Sequence, residues 1–201
     1  MKRRQSPAKS QQTVTKSQFR LIAGQWRGRK LSFPTVEGLR PTPDRMRETL
    51  FNWLQDDIQN ARCLDLFAGS GALGLESLSR GASHCRFFEA NRHAQMAINE
   101  HLSLLKAPGA TTVGQLPTAL IHLHDEIFDI VFIDPPYAQA QLIDSCLQQL
   151  IQQGNIQAGA IVYIENSSQD GLPILPAGFH LHRQKVAGQV QSHLLHYQPE
   201  P

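Results

Sequence analysis

The chain has 201 residues, 41% of them hydrophobic, which suits one domain with its own core and a small appendage. No run approaches the roughly 18 apolar residues of a membrane span. The basic start lacks the apolar stretch of a secretory signal, and Cys63, Cys85 and Cys146 form no disulfide framework, so a reducing, cytoplasmic setting is expected.

The net charge of +2 conceals a division: residues 1–47 carry +10 and the remainder −8. Such asymmetry marks a basic arm that meets a polyanion, with nucleic acid the first candidate. In chain order, residues 1–17 read as a solvated basic tail. FRLIAGQWRGRKLSF (residues 19–33) reads as two short strands around a Gly-rich turn at 25–28, within a hairpin extension spanning 18–41. Thr42-Pro43-Asp44 opens a helix, with Thr42 as cap and Pro43 at the first helical position. Met46, Leu50, Trp53 or Leu54, and Ile58 give that helix its apolar stripe.

From residue 62 strands and helices alternate. Strands are expected at 62–67, 84–89, 110–114, 128–133 and 160–165. Helices are expected at 72–80, 92–106, 117–124 and 139–152. Two late strands, 179–186 and 190–197, flank Gly188 as a hairpin. The alternation implies a mostly parallel sheet covered by helices on both faces, ending in an antiparallel hairpin. Residues 42–201 form this α/β domain. His122/His124 and His180/His182 have no companion Cys or carboxylate pattern, so no metal site is expected.

Two motifs carry chemistry. In CLDLFAGSGALGLESL, Gly69, Gly71 and Gly74 spell GxGxxG between a strand and a helix, and Glu89 ends the next strand. Glycines there let the backbone approach a ligand, and the acid can accept both ribose hydroxyls of an adenosine-containing cofactor. NAD and S-adenosylmethionine both satisfy this. Asp65, four residues before Gly69, favours the second, because a carboxylate repels a pyrophosphate and attracts an ammonium or sulfonium.

The other motif is FDIVFIDPPY, an apolar strand running into Asp134-Pro135-Pro136-Tyr137. In an open α/β sheet both motifs face the crevice beyond the carboxyl ends of the strands. An exocyclic base amine is a poor nucleophile. The Asp134 carboxylate and the Pro135 carbonyl, in a loop stiffened by two prolines, supply two acceptors for its hydrogens. Tyr137 offers a stacking face for a base that is unpaired or flipped out.

With both motifs in hand, the sequence resembles the bacterial 16S ribosomal RNA guanine-966 N2-methyltransferases. The resemblance is carried by RLIAGQWRGRKL, LRPTPDRMRETLFNWL, CLDLFAGSGALGLESLSRGA, VFIDPPY, ENSSQDGLP and KVAGQV, and it covers nearly everything after the tail. It implies a Rossmann-like class I methyltransferase fold: a seven-stranded, mostly parallel sheet with a C-terminal antiparallel hairpin, plus the small basic N-terminal β-hairpin. It implies S-adenosylmethionine as methyl donor and a guanine of 16S rRNA, within an assembling 30S subunit, as acceptor. The enzyme would be a metal-free monomer away from membranes.

Carried over residue by residue, Asp65, Phe67, Ala68, Gly69, Ser70 and Gly71 belong to the methionine-side loop and Glu89 to the ribose. Asp134 to Tyr137 form the catalytic loop, and Arg40-Pro41-Thr42 borders cofactor and target base. Where relatives often have Asn or Asp near the adenine amine, this chain has Val113-Gly114-Gln115-Leu116, with Gln115 in that role. Arg20, Arg27, Arg29 and Lys30 form an RNA-facing ridge, with Arg40 and Arg45 beside it. Trp26 either stacks on a base or closes the hairpin core, and Arg45 and Arg47 divide between RNA contact and helix surface. Lys185 and Gln189 face RNA or cap a solvated turn. The DPPY chemistry fits adenine as well as guanine, so a DNA adenine-N6 methyltransferase is the nearest alternative. A non-catalytic RNA-binding assembly factor is another.

Overall fold

The computed structural model describes residues 16–35, 43–107, 110–114, 123 and 125–199. Apart from Leu123, the expected helix over 117–124 lies outside them, as do His122, His124, Arg40, Thr42 and Gln115.

Chain order is β1 (Lys16–Arg20), β2 (Lys30–Pro34), α1 (Asp44–Trp53), β3 (Arg62–Asp65), α2 (Ala72–Ser79), β4 (His84–Glu89), α3 (Arg92–Leu105), β5 (Ala110–Gly114), β6 (Phe128–Ile133), α4 (Leu142–Gln152), β7 (Ile156–Ser167), β8 (Phe179–Ala187) and β9 (Val190–Tyr197). Seven strands form one sheet in the order β5-β4-β3-β6-β7-β9-β8, and β1-β2 form a separate antiparallel pair. β3 to β7 run parallel, while β9 pairs antiparallel with both β7 and β8. This is the doubly wound sheet with a terminal hairpin that the sequence implies.

Boundaries differ in informative ways. α1 begins at Asp44, with Pro43 extended at φ −54° and ψ 144° in the cap position, so Pro43 is not the first helical residue. β7 runs twelve residues rather than six, because its polar ends, Gln157–Gly159 and Glu165–Ser167, extend an apolar centre. Its register with β6 jumps between Phe128↔Ile156 and Ile130↔Ile161. α4 starts at Leu142, because a single 3-10 turn, Tyr137–Gln139, occupies the chain just before it.

Period-two alternation divides the sheet's side chains between two cores. Cys63, Phe87, Ile130, Phe132, Ile161, Tyr163 and Leu194 face the cluster containing α1, α2 and α3. Leu64, Phe88, Val131, Ile133, Val162, Ile164 and Leu195 face the cluster containing α4. Continuing the same alternation toward the carboxyl ends puts Asp65, Glu89, Asp134 and Glu165 on the first face.

The N-terminal hairpin shares that first core. Phe19, Leu21, Trp26, Leu31 and Phe33 are buried with residues of α1, α2 and α3. At roughly 1.5–3 kcal/mol for each buried large apolar side chain, these residues hold the hairpin firmly to the domain. His101 of α3 adds a hydrogen bond between Nε2 and the Ser32 carbonyl at 3.0 Å.

Candidate active site

β3 and β6 are neighbours, with Asp65 opposite Phe132, and the Leu66 N–H donates to the Phe132 carbonyl at 3.0 Å. The glycine turn that follows β3 and the Asp134 loop that follows β6 therefore leave the same edge of the sheet side by side. β4 flanks β3 on its other side and brings Glu89 to that edge.

The turn needs glycine for two distinct reasons. Gly69 and Gly71 have φ of +53° and +79°, in the left-handed region that L side chains rarely adopt, and Gly71 is the residue from which α2 starts. Gly74 is in the helix, where a Cβ would lie 2.2 Å from the Phe87 ring and 2.7 Å from Cys85 Sγ. Its absence lets α2 pack directly on β4. Within the turn Ala68 and Ser70 are buried, and Phe67 packs against the second core.

Both acids of the turn are clasped by backbone N–H groups. Gly69 N donates to Glu89 Oε2 at 2.7 Å, and Asn91 N to Oε1 at 2.7 Å. Gly74 N donates to Asp65 Oδ2 at 3.0 Å. Asp65 lies beneath the turn, 2% exposed, bracing it from inside. Burial pushes its carboxyl up to about 7, and the charges of Asp134 and Glu89 add to the rise against the opposing Gly74 and Phe67 N–H bonds. Burial also raises Glu89, partly countered by the N–H groups of Asn91, Gly69 and Ala90.

Asp134 and Glu89 thus both bear on Asp65 at one edge of the sheet. That field suits a cationic ligand such as a sulfonium or ammonium and opposes a pyrophosphate. Glu89 retains lone pairs beyond its two backbone bonds, so it can also accept ribose hydroxyls. The residues present fit S-adenosylmethionine better than NAD.

In the other loop, Asp134 is half-buried, Pro135 buried, and Pro136 and Tyr137 exposed. Tyr137 is 56% exposed. The turn is closed through the Pro136 carbonyl, which accepts from Gln139 N at 2.7 Å, and the Tyr137 carbonyl, which accepts from Ala140 N.

The basic ridge divides. Arg20, Arg27, Arg29, Lys30 and Arg45 are exposed, and Arg20 Nε pairs with Asp44 at 2.9 Å. Trp26 is buried, with its backbone N–H bound to Ser79 Oγ at 3.1 Å, so it closes the hairpin core and is not presented for stacking on a base. Arg47 is fully buried and serves neither RNA contact nor helix surface. Its guanidinium donates to the Arg20 carbonyl at 2.9 Å and to Asp44 at 2.6 Å, and lies over the Phe19 ring. Lys185 donates to Thr49 Oγ1 at 2.9 Å, which ties the terminal hairpin to α1.

Sequence reasoning missed two polar groups. Glu76 is fully buried in α2, where it accepts Ile22 N at 2.8 Å, Ala23 N at 3.0 Å and Arg80 Nε at 2.7 Å. A lone acid in a helix whose other residues are small or apolar was the available signal. Tyr163, Glu165 and Ser192 form a buried hydrogen-bonded group on the Asp134 side, with Tyr163 Oη donating to Glu165 Oε1 at 2.5 Å and lying 3.0 Å from Ser192 Oγ. Their trace in the sequence is the alternation Tyr163, Glu165 at the polar end of an apolar strand.

Residues 19–196 match the family model described as Conserved hypothetical protein 95. The chain is 46% identical over 183 residues to the Escherichia coli (strain K12) ribosomal RNA small subunit methyltransferase D, covering 91% of each. It is 37% identical to the protein of that name from Haemophilus influenzae, covering 92% of this chain and 97% of the relative. A solved Escherichia coli structure, 42% identical, superposes with a TM-score of 0.83 and covers 92% of this chain and 100% of the other. With a family model spanning nearly all the described residues and relatives this similar end to end, the chain belongs to the ribosomal RNA small subunit methyltransferase D family.

Proposed function

We propose that the chain transfers the methyl group of S-adenosylmethionine to the exocyclic N2 amine of a guanine in 16S rRNA, presented by an assembling small ribosomal subunit. One observation carries this reading: the glycine turn after β3 and the Asp134 loop after β6 leave neighbouring strands at one anionic edge. Family membership supports the chemistry, since the relatives are named as methyltransferases of small-subunit ribosomal RNA. Guanine N2 as the acceptor rests on the resemblance of RLIAGQWRGRKL, VFIDPPY and KVAGQV to the guanine-N2 enzymes.

When bound, the donor supplies an electrophilic methyl that the amine nitrogen takes as the carbon–sulfur bond breaks. The chain's own residues do the rest. Asp134 and the Pro135 carbonyl accept the two amine hydrogens and draw the nitrogen lone pair out of conjugation. Tyr137 stacks on the base, and Asp134 takes the proton released when the new N–C bond forms. Most of the acceleration comes from placement and fixed charge, because no strong base is required. Gly69, Gly71 and Glu89 hold the donor; the resemblance adds Thr42 and Gln115, which lie outside the described residues, to its contacts. Arg20, Arg27, Arg29, Lys30, Arg40 and Arg45 take RNA phosphates.

The test is transfer of labelled methyl to 30S particles, free rRNA and duplex DNA. Incorporation at a guanine of 30S particles is expected, and incorporation only into DNA would defeat the reading. Asp134→Ala should retain S-adenosylhomocysteine binding and lose roughly 10²–10³-fold in kcat. Unchanged methylation by that variant would remove Asp134 from the mechanism.

A further inference from the structure

A line of polar side chains crosses the sheet beside the Asp134 loop. Ile133 of β6 pairs with Ile164 of β7, so the next residues, Asp134 and Glu165, stand side by side. Glu165 pairs with Ser192 of β9, and Ser192 with Lys185 of β8. Tyr163, on the same face of β7 as Glu165, donates to Glu165 Oε1 at 2.5 Å, and its oxygen lies 3.0 Å from Ser192 Oγ. Two carboxyl groups in adjacent registers on one sheet face cannot both ionise cheaply. Burial decides which one holds the proton. Glu165 is 6% exposed, whereas Asp134 is only half-buried. The charge settles where water can still reach it, and the proton settles on the enclosed partner.

We propose that Asp134 and Glu165 form a carboxyl pair sharing one proton, in which neutral Glu165 is a positioning residue that keeps Asp134 singly ionised and aimed at the target amine. Tyr163 fixes the Glu165 carboxyl by donating to Oε1, which leaves Oε2 to hold the proton, and Ser192 Oγ lies 3.0 Å from the phenol oxygen. Burial, with the Asp134 charge adding to it, holds Glu165 well above the usual carboxylate range, against the Tyr163 hydrogen bond. Beyond Tyr163 and Ser192 a small cavity is lined by Met46, Thr49, Leu50 and Trp53 of α1 and by Lys185 of β8, whose ammonium is held by Thr49 Oγ1. The charge that bears on Glu165 is that of Asp134, and it opposes ionisation. Farther along the edge lie Asp65 and Glu89.

The proposal rests on the reading of Asp134 as the amine acceptor, and its test separates the two. The measurement is kcat against pH on 30S particles at saturating methyl donor, for wild type, Glu165→Gln, Glu165→Leu and Tyr163→Phe. S-adenosylhomocysteine affinity and thermal unfolding are followed alongside. A group with a raised pKa loses its proton as pH climbs through that value. The wild-type profile should therefore fall on its alkaline side as a second charge appears beside Asp134.

Glu165→Gln, neutral at every pH and still able to donate, should lack that alkaline fall. Glu165→Leu should lose roughly tenfold to hundredfold in kcat relative to Glu165→Gln, the effect of one hydrogen bond to a charged group. Tyr163→Phe removes a donor that favours the ionised acid, so its alkaline limb should move to higher pH. An alkaline limb unchanged in Glu165→Gln and in Tyr163→Phe overturns the pair, and it does so even if the leucine variant fails to fold. Wild-type protein that binds S-adenosylhomocysteine yet methylates no RNA would sink the function itself. An inactive Asp134→Ala alongside unaltered Glu165 variants would sink only the shared proton.

Discussion

The N-terminal hairpin and the carboxyl edge of the sheet carry opposite charge and use it in opposite ways. On the hairpin, Arg27, Arg29 and Lys30 are exposed and their charge is available to a partner. At the edge, Asp65, Glu89, Asp134 and Glu165 are buried or half-buried, Asp65 and Glu89 are bound by backbone N–H groups, and Asp65 and Glu165 are raised by burial and by neighbouring carboxylates. Exposed cations attract a polyanion at long range and are screened by salt. Enclosed carboxyls act over a few ångströms and are hardly screened. α2 joins the two regions. Its first turn grows out of Gly71, and its last residues hold the hairpin. Gln25 N donates to the Ser79 carbonyl at 2.7 Å, and Ser79 Oγ donates to the Ala23 carbonyl at 2.6 Å. Gly24 is required at that junction, since a Cβ there would lie 1.7 Å from Ser79 O.

The most severe way to break the contrast is to cut this junction. Glu76→Ala removes the acceptor for Ile22 N and Ala23 N and leaves the buried Arg47 guanidinium without the carboxylate 3.8 Å from it. Breaking a buried charge pair from one side costs about 3–5 kcal/mol. Urea denaturation should show a loss of that order, and hydrogen exchange should speed first in residues 19–33. A variant as stable as wild type would mean that the apolar side chains and the Ser79 and His101 hydrogen bonds hold the hairpin without Glu76.

Why Glu76 escaped the sequence reading bears on what a sequence displays. The sheet was legible because strand and helix periods differ, and the two chemical loops were legible because Gly69-Ser70-Gly71 and Asp134–Tyr137 are contiguous. The strand ends at Glu89 and Ile133 agree with the structure to the residue. Groups assembled from distant segments leave at most a single out-of-place polar residue, which does not name its partner. Glu76 meets Ile22 across 54 positions, and Tyr163 meets Ser192 across 29. Trp26 and Arg47 show the same limit from the other side. Each sits among exposed basic residues in the sequence, and each is turned inward by packing that only the fold determines.

A milder intervention acts on the hairpin's surface alone. Replacing Arg27, Arg29 and Lys30 together by alanine leaves the core of Phe19, Leu21 and Leu31 untouched. It should raise KM for 30S particles by roughly tenfold to hundredfold and flatten the dependence of log KM on log salt by about two units, as expected when three phosphate contacts are lost. S-adenosylhomocysteine affinity should not move. A change in cofactor affinity would show that hairpin and crevice are coupled through α2 rather than merely connected by it.

The smallest expected effect belongs to the crevice. Asp65 is raised to about 7 in the folded chain, from an ordinary value of 3.8. A raised pKa means that its contribution to stability is fully present below the unfolded value and is lost as pH climbs through the folded one. The ligand-free protein should therefore unfold more readily at pH 8 than at pH 5 as far as Asp65 is concerned. On the proposed function, a cation held at this edge favours the ionised carboxyl through its charge, so its binding releases the proton. S-adenosylmethionine affinity should rise with pH by up to about tenfold per unit below 7 and level off above it. Calorimetry in buffers of different ionisation enthalpy would read the released proton directly, and Asp65→Asn should abolish both the proton and the slope. The same slope in that variant would place the titrating group elsewhere, with Glu89, also raised and clasped by the Gly69 N–H, the next residue to change.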